Sequence, residues 1–182
     1  MKKLGKSLVL LAALAAFFLL GYMFNETKSF IPLCSYSISD NVIPLVNENY
    51  FNMTYDTIEN AESSIDIVLY EFKWYETNNS VVKLRELLVK KAEQGIKVRL
   101  ILDQSQWMGA VTELSKENKR TGDYLKSYGI EVKYDSLKQT THDKLLIIDD
   151  SMIILGSHNW GSSALTKNNE ASVMIKDKNI SE

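Results

Sequence analysis

The chain has 182 residues, of which 45% are hydrophobic, and a formal net charge of −2 at pH 7. One cysteine and two histidines exclude an internal disulfide framework and leave no visible zinc site. The acidic balance argues against binding of nucleic acid by bulk electrostatic attraction, although a groove needs only a few cations.

Residues 1–24 have the composition of a membrane anchor. Lys2, Lys3 and Lys6 precede an uncharged stretch, Ser7 to Phe24, that is rich in Leu, Ala and Phe. Its length is close to the minimum for spanning a bilayer, and it lacks the polar face of a core helix. We expect an uncleaved transmembrane helix, with a cleaved export signal as the alternative. The lysines predict a cytoplasmic N-terminus and an extracytoplasmic domain, whereas an organelle-surface anchor would leave the domain in the cytosol.

Residues 25–47 hold both prolines and several Ser and Asn, and predict a linker before a single domain, 48–182. Within this domain, segments of helical periodicity alternate with short apolar segments. The predicted helices are 48–61, 80–94 and 117–128, and the predicted strands are 65–70, 96–102, 130–134, 145–148, 152–155 and 171–175. This alternation favours an α/β fold in which helices flank a layered sheet.

Several aromatic side chains follow the first predicted strand or lie near its later partners. They are Tyr70, Phe72, Trp74, Tyr75 and Trp160. At a strand end, such rings can stack on bases or contact a lipid. Closure of the core or of a dimer interface explains them equally well, so both interpretations stay open.

Two short polar blocks lie on a predicted hairpin. His142, Lys144 and Asp149 form a His-x-Lys-x4-Asp pattern, and Gly156–Asn159 forms a Gly-Ser-x-Asn pattern on the returning strand. His142 and Lys144 are two residues apart on one strand, so their side chains should leave the same face. The hairpin therefore predicts a cluster of polar groups at one end of an apolar element.

The chemistry of these groups suits cleavage of a phosphodiester. Lys144 can hold a non-bridging oxygen as a point charge, and Ser157 and Asn159 can donate hydrogen bonds to the same oxygens. His142 is the candidate nucleophile, which would give a covalent phosphohistidine. Its second ring nitrogen needs an orienting acceptor, and Glu170 is the best candidate.

The two blocks and their spacing resemble the phospholipase D superfamily, over roughly residues 48–176. The resemblance implies a phospholipase D-like fold. It also implies a role for each matching residue: nucleophile for His142, phosphate binding for Lys144, Ser157 and Asn159, orientation of the nucleophile for Glu170, and a mainly structural role for Asp149.

The motif occurs only once. In this superfamily a second motif supplies a second histidine that protonates the leaving oxygen. The other histidine here, His158, occupies the variable position of the Gly-Ser-x-Asn block and is in the wrong place for that task. The resemblance therefore implies a homodimer in which His142 of two identical chains faces one phosphate, as in the small bacterial endonucleases and mitochondrial-surface enzymes of the superfamily.

These inferences predict a membrane-tethered phosphodiesterase that uses no metal ion or cofactor, with nucleic acid as the leading substrate. A phospholipase or phosphatidyltransferase is the first alternative, because the acidic domain suits a non-nucleic substrate better. A catalytically silent, membrane-anchored binding module is the second. Relatives commonly continue past the last strand into a closing helix, so we also expect a truncated reading frame or a sheet face left for a partner.

Overall fold

A computed structural model describes residues 41–177. The helices are α1 (Asn49–Glu59), α2 (Ser80–Glu93), α3 (Glu113–Ser127) and α4 (Ser162–Thr166). The strands are β1 (Val42–Val46), β2 (Ser64–Leu69), β3 (Lys97–Leu102), β4 (Gln106–Trp107), β5 (Ala110–Val111), β6 (Glu131–Tyr134), β7 (Lys144–Ile148), β8 (Met152–Gly156) and β9 (Ala171–Lys176). The anchor or signal predicted for residues 1–24 lies outside the described residues. Between residues 41 and 177, no helix is long and apolar enough to cross a membrane.

Seven of the strands form one mixed sheet, in the order β1-β9-β8-β7-β2-β3-β6. β2, β3 and β6 run parallel, and β7, β8, β9 and β1 continue the sheet in antiparallel pairs. The carboxyl ends of β2, β3, β6 and β8 therefore meet the amino ends of β7 and β9 at one edge. We call this end of the strands the site edge. Here Lys144 lies opposite Leu69, and Gly156 lies opposite Ser172. The predicted α/β fold with helices on the sheet is confirmed.

The period of two along the strands separates a core face from an outer face. Ile65, Ile67 and Leu69 of β2 are almost fully buried and belong to the same core as the helix residues Leu84 and Leu88. The intervening residues point away from this core, as exposed Arg99 and Lys133 show. Arg99 forms an ion pair with Asp66 on the neighbouring strand, at 2.5 Å between Nε and Oδ1.

Local capping explains where the helices begin. The Asn79 side chain accepts a hydrogen bond from the Val82 amide at the start of α2. Thr112 accepts one from the Ser115 amide, so α3 begins at Glu113, four residues before the predicted start. The first turn of α3 is polar, which hid it from a search for apolar periodicity. Gly129, with a φ of 80°, follows α3 and allows the chain to reverse into β6.

The linker predicted for residues 25–47 is wrong at its end, because Val42–Val46 is strand β1. The prediction rested on Pro44, which lacks an amide hydrogen and so interrupts a sheet ladder. Among the strands that the structure describes, β1 lies at the edge of the sheet and pairs with β9 alone, where Pro44 lies opposite Val173. An edge strand tolerates proline because one of its sides needs no partner. The short helix α4 and the β4–β5 hairpin were not predicted, since neither is long enough to show a period.

Candidate active site

The sheet gathers the predicted site residues at the site edge. His142 and Lys144 lie at the start of β7, Ser157 and Asn159 follow β8, and Glu170 precedes β9. Their approach follows from strand pairing alone, because β7, β8 and β9 are successive antiparallel neighbours. The predicted cluster of polar groups at the open end of the β7–β8 hairpin, opposite its turn, is therefore present in the structure.

His142 stands exposed just before β7. Its ring packs against Tyr70, with 4.4 Å between ring centroids and 62° between ring planes. Its backbone carbonyl accepts a hydrogen bond of 2.9 Å from Lys144 Nζ. Across residues 41–177, no hydrogen bond joins the His142 ring to Glu170, so the orienting contact that we expected is not made within one chain. The imidazole is thus held by an aromatic face and remains open to a ligand.

Lys144 is a buried cation, with only 7% of its surface exposed. Its Nζ lies 4.8 Å from the centroid of the Tyr70 ring, an attractive cation–π distance. Burial lowers the pKa of Lys144, against the opposing attraction of nearby carboxylates that include Asp143 and Glu71. Within the described part of the chain, its ammonium makes no ion pair and one hydrogen bond, to His142. Two of its three donors therefore remain for an anionic ligand.

Glu170 is held in place by its neighbours in the chain. Ser157 Oγ donates a short hydrogen bond to its carboxylate, and Asn168 Nδ2 donates another at 3.0 Å. Burial works to raise the pKa of Glu170, but these two hydrogen bonds together with the charges of His158 and Lys144 hold the pKa below its ordinary value. Ser157 Oγ also accepts from the Ala171 amide at 3.1 Å. The site edge thus carries a firmly ionised carboxylate in a fixed position.

The glycine of the Gly-Ser-x-Asn block is required by the approach of two strands. A Cβ atom at Gly156 would lie 2.2 Å from Ser172 Oγ and 2.4 Å from Ser172 Cα. No side chain fits without separating β8 from β9. Because Ser157 follows directly, the close contact also fixes where its hydroxyl stands.

Asn159 presents a buried polar atom that lacks a partner. Between residues 41 and 177, its Oδ1 makes no hydrogen bond. Such atoms are rare in folded proteins, because an unpaired buried polar group is unfavourable. The next residue, Trp160, is fixed through its main chain. Its amide donates to the Glu71 carbonyl, and its carbonyl accepts from the Lys73 amide, both at 2.9 Å. Asn159 thus follows β8 at the site edge with an acceptor, Oδ1, that has no partner among the described residues.

The side chain of His158 is fully buried. Its Nδ1 lies 2.7 Å from Ser172 Oγ, its Nε2 lies 3.2 Å from the Asn47 carbonyl, and its ring stacks on Tyr50 at 4.1 Å. Burial is the main influence on its pKa and lowers it, against the Asn47 carbonyl and the charge of Glu170. This geometry supports a structural part for His158.

Asp149 lies at the opposite edge of the sheet, at the far end of β7. It adopts a φ of 54° and its carboxylate accepts hydrogen bonds from the amides of Glu62, Ser63 and Ser64 and from the Ser63 hydroxyl, at 2.7–3.1 Å. Burial works to raise the pKa of Asp149, but these hydrogen bonds outweigh it and lower the pKa. The carboxylate ties the β7–β8 turn to the start of β2, as the structural role implied by the resemblance requires.

We expect Asp149→Asn to lower the free energy of unfolding by about 1–2 kcal/mol at neutral pH, because the amide nitrogen cannot accept from these donors. Asparagine tolerates the positive φ, so backbone strain is unchanged. A lowered folded pKa stabilises the fold above the unfolded value, about 3.9, and this contribution is lost as pH falls through the folded pKa. Urea unfolding at several pH values should therefore show the difference shrinking in acid. Asp123→Asn, in an exposed ion pair with Lys119, is the control; equal losses in both variants would contradict the prediction.

The aromatic residues divide between core and site. Phe72 and Trp160 are fully buried and pack edge to face at 4.7 Å, and the Tyr75 hydroxyl accepts from the Ser162 amide. Trp74 stacks on the Arg85 guanidinium, 4.0 Å from its ring centroid. Tyr70 is the member of this group that contacts His142.

The sequence did not reveal the residue that ties the site edge together. Asn118 of α3 is fully buried, donates to the carbonyls of Tyr70 and Asp103 at 2.8 and 2.9 Å, and accepts from the Phe72 amide at 2.8 Å. It thereby fixes the ends of β2 and β3 relative to each other. A helical asparagine reads as a surface residue, so no sequence signal identified it.

Across residues 41–177, no group of three or more His, Cys, Asp or Glu side chains could hold a metal ion. The arrangement instead combines an exposed imidazole, a buried ammonium, and hydroxyl and amide groups around an open edge. These groups can bind and attack a phosphate ester.

Comparison with known proteins agrees with this geometry. The family described as "Cardiolipin synthase, PLD-like domain" matches residues 55–182. A phospholipase D of Rickettsia prowazekii is 30% identical over 125 residues, which are 69% of this chain and 54% of the relative. A mitochondrial cardiolipin hydrolase of Chlamydomonas reinhardtii is 28% identical over 125 residues, which are 69% of this chain and 49% of that protein. The chain thus spans about half the length of the curated relatives it matches.

A solved structure shares the fold. The crystal structure of the phospholipase D family member Nuc from Salmonella typhimurium is similar with a TM-score of 0.61 and 23% sequence identity, covering 77% of this chain and 87% of that chain. At this identity the likeness concerns the fold alone. With the family match over most of its length and the His142 and Gly156 blocks at one sheet edge, the chain belongs to the phospholipase D superfamily.

Proposed function

We propose that the chain cleaves phosphodiesters through a covalent phosphohistidine on His142, without a metal ion. The observation that carries the proposal is the pairing of two groups within residues 41–177: an exposed imidazole that makes no hydrogen bond there, and a buried lysine with two donors that remain unused there. A neutral His142 nitrogen attacks phosphorus, and the bond between phosphorus and the leaving oxygen breaks. A second, protonated histidine gives its proton to that oxygen. Water, deprotonated by the same histidine, then attacks phosphorus and releases His142 with a phosphate monoester.

The other residues stabilise the charge on the phosphate. Lys144 binds a non-bridging oxygen, and its burial strengthens that attraction because little water screens it. The Asn159 amide nitrogen can donate a hydrogen bond to the same oxygens, whereas the Ser157 hydroxyl donates its one hydrogen to Glu170 and so supports the site through that carboxylate. Glu170 provides the acceptor for an imidazole, and its hydrogen bonds to Ser157 and Asn168 keep it ionised and oriented for this task.

We infer that the active form is a homodimer. The chain has two histidines, and buried His158 cannot reach a substrate at the site edge. We therefore propose that His142 of a second, identical chain supplies the other histidine of the reaction. The absence of a bond between His142 and Glu170 within the described part of one chain supports the same idea, since each carboxylate is left available to the partner's imidazole.

Nucleic acid is the leading substrate. The site lies on an open sheet edge, where His142 is exposed and Tyr70 is half-buried beside it, so a polymer can pass and a base can stack.

A phospholipid is the second candidate, and one observation favours it. Carboxylates surround Lys144, including Asp143, Glu71 and Glu170. This negative potential disfavours a polyanion more than a lipid that carries a single phosphodiester charge. Two of the relatives are named for lipid substrates, a phospholipase D and a cardiolipin hydrolase.

The composition of residues 1–24 supports a membrane anchor that holds the domain outside the cytoplasm, with a cleaved export signal as the alternative.

The substrate test uses the full-length chain in excess EDTA, offered either supercoiled plasmid or vesicles that contain phosphatidylglycerol and cardiolipin. We expect nicking of the plasmid, falling steeply as salt rises because phosphate binding releases counterions. Hydrolysis confined to the vesicles would establish the second candidate. Turnover of neither substrate would favour a silent binding module, and activity abolished by EDTA would contradict the metal-independent mechanism.

A further inference from the structure

Two aspartates stand side by side at the site edge, outside the motif. Asp103 follows β3 and Asp135 follows β6, its parallel neighbour. Both accept a hydrogen bond from the same donor, the Thr141 amide, at 2.8 Å to Asp103 Oδ1 and 3.0 Å to Asp135 Oδ2. Thr141 directly precedes His142. Two carboxyl groups therefore converge on the main chain that carries the candidate nucleophile.

Asp103 is fully buried, and its second oxygen, Oδ2, has no hydrogen-bond partner within residues 41–177. The Thr141 amide is the one donor that the described structure gives the Asp103 carboxylate, and Asp135 shares it, so two ionised carboxylates here would be poorly compensated. A proton on one of the acids removes the repulsion and accounts for the unpaired oxygen. Burial is the main cause that raises the pKa of Asp103, opposed by the Thr141 amide and reinforced by the charge of Asp135.

The surroundings decide which acid carries the proton. Asp135 Oδ1 accepts a further hydrogen bond of 2.7 Å from the Gln104 amide, so its ionised form is the better supported. The side chains that α3 places nearby, Ser115 and Asn118, are neutral. The titratable groups on the other neighbouring elements are Lys144 on β7, whose charge favours ionisation of Asp103, and His142 and Asp143 in the loop that follows Thr141. The two acids consequently titrate as a unit.

The Thr141 amide matters because His142 lies in a segment without regular structure. On one side the chain is held by this amide. On the other side the Tyr70 amide donates to the Asp143 carbonyl at 2.8 Å. The backbone of His142 is thus fixed at both neighbouring residues, and Tyr70 packs on the ring between them.

We propose that Asp103 and Asp135 share one proton and act as positioning residues that hold the Thr141 amide and thereby set where the His142 imidazole stands. This inference rests on the proposed function of His142 as the nucleophile. A displacement of about 1 Å at a reacting group can lower a rate by roughly 100-fold, so a loosened Thr141 would affect turnover without a direct contact to substrate.

The test compares Asp103→Asn with Asp103→Ala in the full-length chain. Asparagine can accept from the Thr141 amide and donate to Asp135, so it imitates the protonated acid. We expect Asp103→Asn to keep kcat within about two-fold, whereas Asp103→Ala lowers kcat by about 10- to 100-fold with little change in KM. Asp66→Asn, on the outer face of β2, is the matched control and should leave kcat unchanged. If both Asp103 variants melt earlier but retain the kcat of the wild type, the role is structural and the proposal is overturned.

A second measurement does not depend on turnover. The chemical shift of the Thr141 amide proton should change with pH in a transition that lies above the ordinary pKa range of an aspartate. This transition should be unchanged in Asp66→Asn and absent from Asp103→Asn. Persistence of that raised transition in Asp103→Asn, or its absence from the wild-type chain, would overturn the proposal. If the wild-type chain turns over no phosphodiester, the proposed function fails, and the Thr141 shift still decides whether the acids share a proton.

Discussion

Replacing His142 by alanine is expected to lower phosphodiester turnover by roughly three orders of magnitude or more, because the reaction loses its nucleophile. The fold should survive, since the side chain is exposed and its one ring contact is with Tyr70. Gln139→Ala, an exposed side chain three residues earlier in the same loop, is the control and should retain full activity. Mass spectrometry of the acid-sensitive phosphoenzyme should find the adduct in the control and not in His142→Ala.

The same variant tests whether the two histidines come from two chains. After wild-type and His142→Ala subunits exchange at equal amounts, a site that needs both histidines leaves about one quarter of the activity. Independent monomers would leave about one half. The number of subunits in the active species, measured by light scattering on the same samples, should be two. A linear decline with the fraction of variant would contradict the shared site while leaving the role of His142 intact.

The parts of the molecule that the sequence predicted are those whose signals are local. The β7–β8 hairpin was visible because two apolar runs flank a turn of Asp149, Asp150 and Ser151, and the site motif lies on that hairpin. β1 was missed because it contains Pro44, and proline is uncommon in strands. That β1 lies at the edge of the sheet, where proline is tolerated, becomes visible only once the strand order is known. The early start of α3 was missed because a capping threonine, not apolar periodicity, defines it.

The supporting residues of the site were hidden for a different reason. Asn118 and Asp103 are far from His142 in sequence, and Asp103 and Asp135 lie together at the site edge only because β3 and β6 are parallel neighbours. Acidic residues directly after parallel strands were the available signal, and they become informative once the strands are known to be neighbours. The contact expected between Glu170 and His142 is not made within the described part of one chain, where the carboxylate instead accepts from Ser157 and Asn168, and the spacing of the residues alone does not show these two bonds.

Lys144→Met should lower kcat/KM by roughly 100- to 1000-fold, because a methionine of similar length removes the one cation that the described structure places beside His142. Lys144→Arg should not restore activity. The site leaves only 7% of the lysine exposed, and a planar guanidinium has a different shape and hydrogen-bonding geometry from an ammonium. Lys133→Met, which removes a lysine with a side chain 72% exposed, is the control for loss of charge alone. A fully active Lys144→Met would remove this residue from the mechanism.

The pH dependence gives an independent test of the same residue. Lys144 binds phosphate only while it is protonated, and burial lowers its pKa. Activity that depends on this charge is present below the pKa of Lys144 in the folded protein and is lost as pH rises through that pKa. The alkaline decline in activity should therefore begin at a lower pH than it would for a lysine with an ordinary pKa. The profile of kcat/KM against pH should retain this decline in Lys133→Met, while the residual activity of Lys144→Met should lack it. A decline that persists in Lys144→Met would assign the titration to another group and leave the buried ammonium without a role in binding the phosphate.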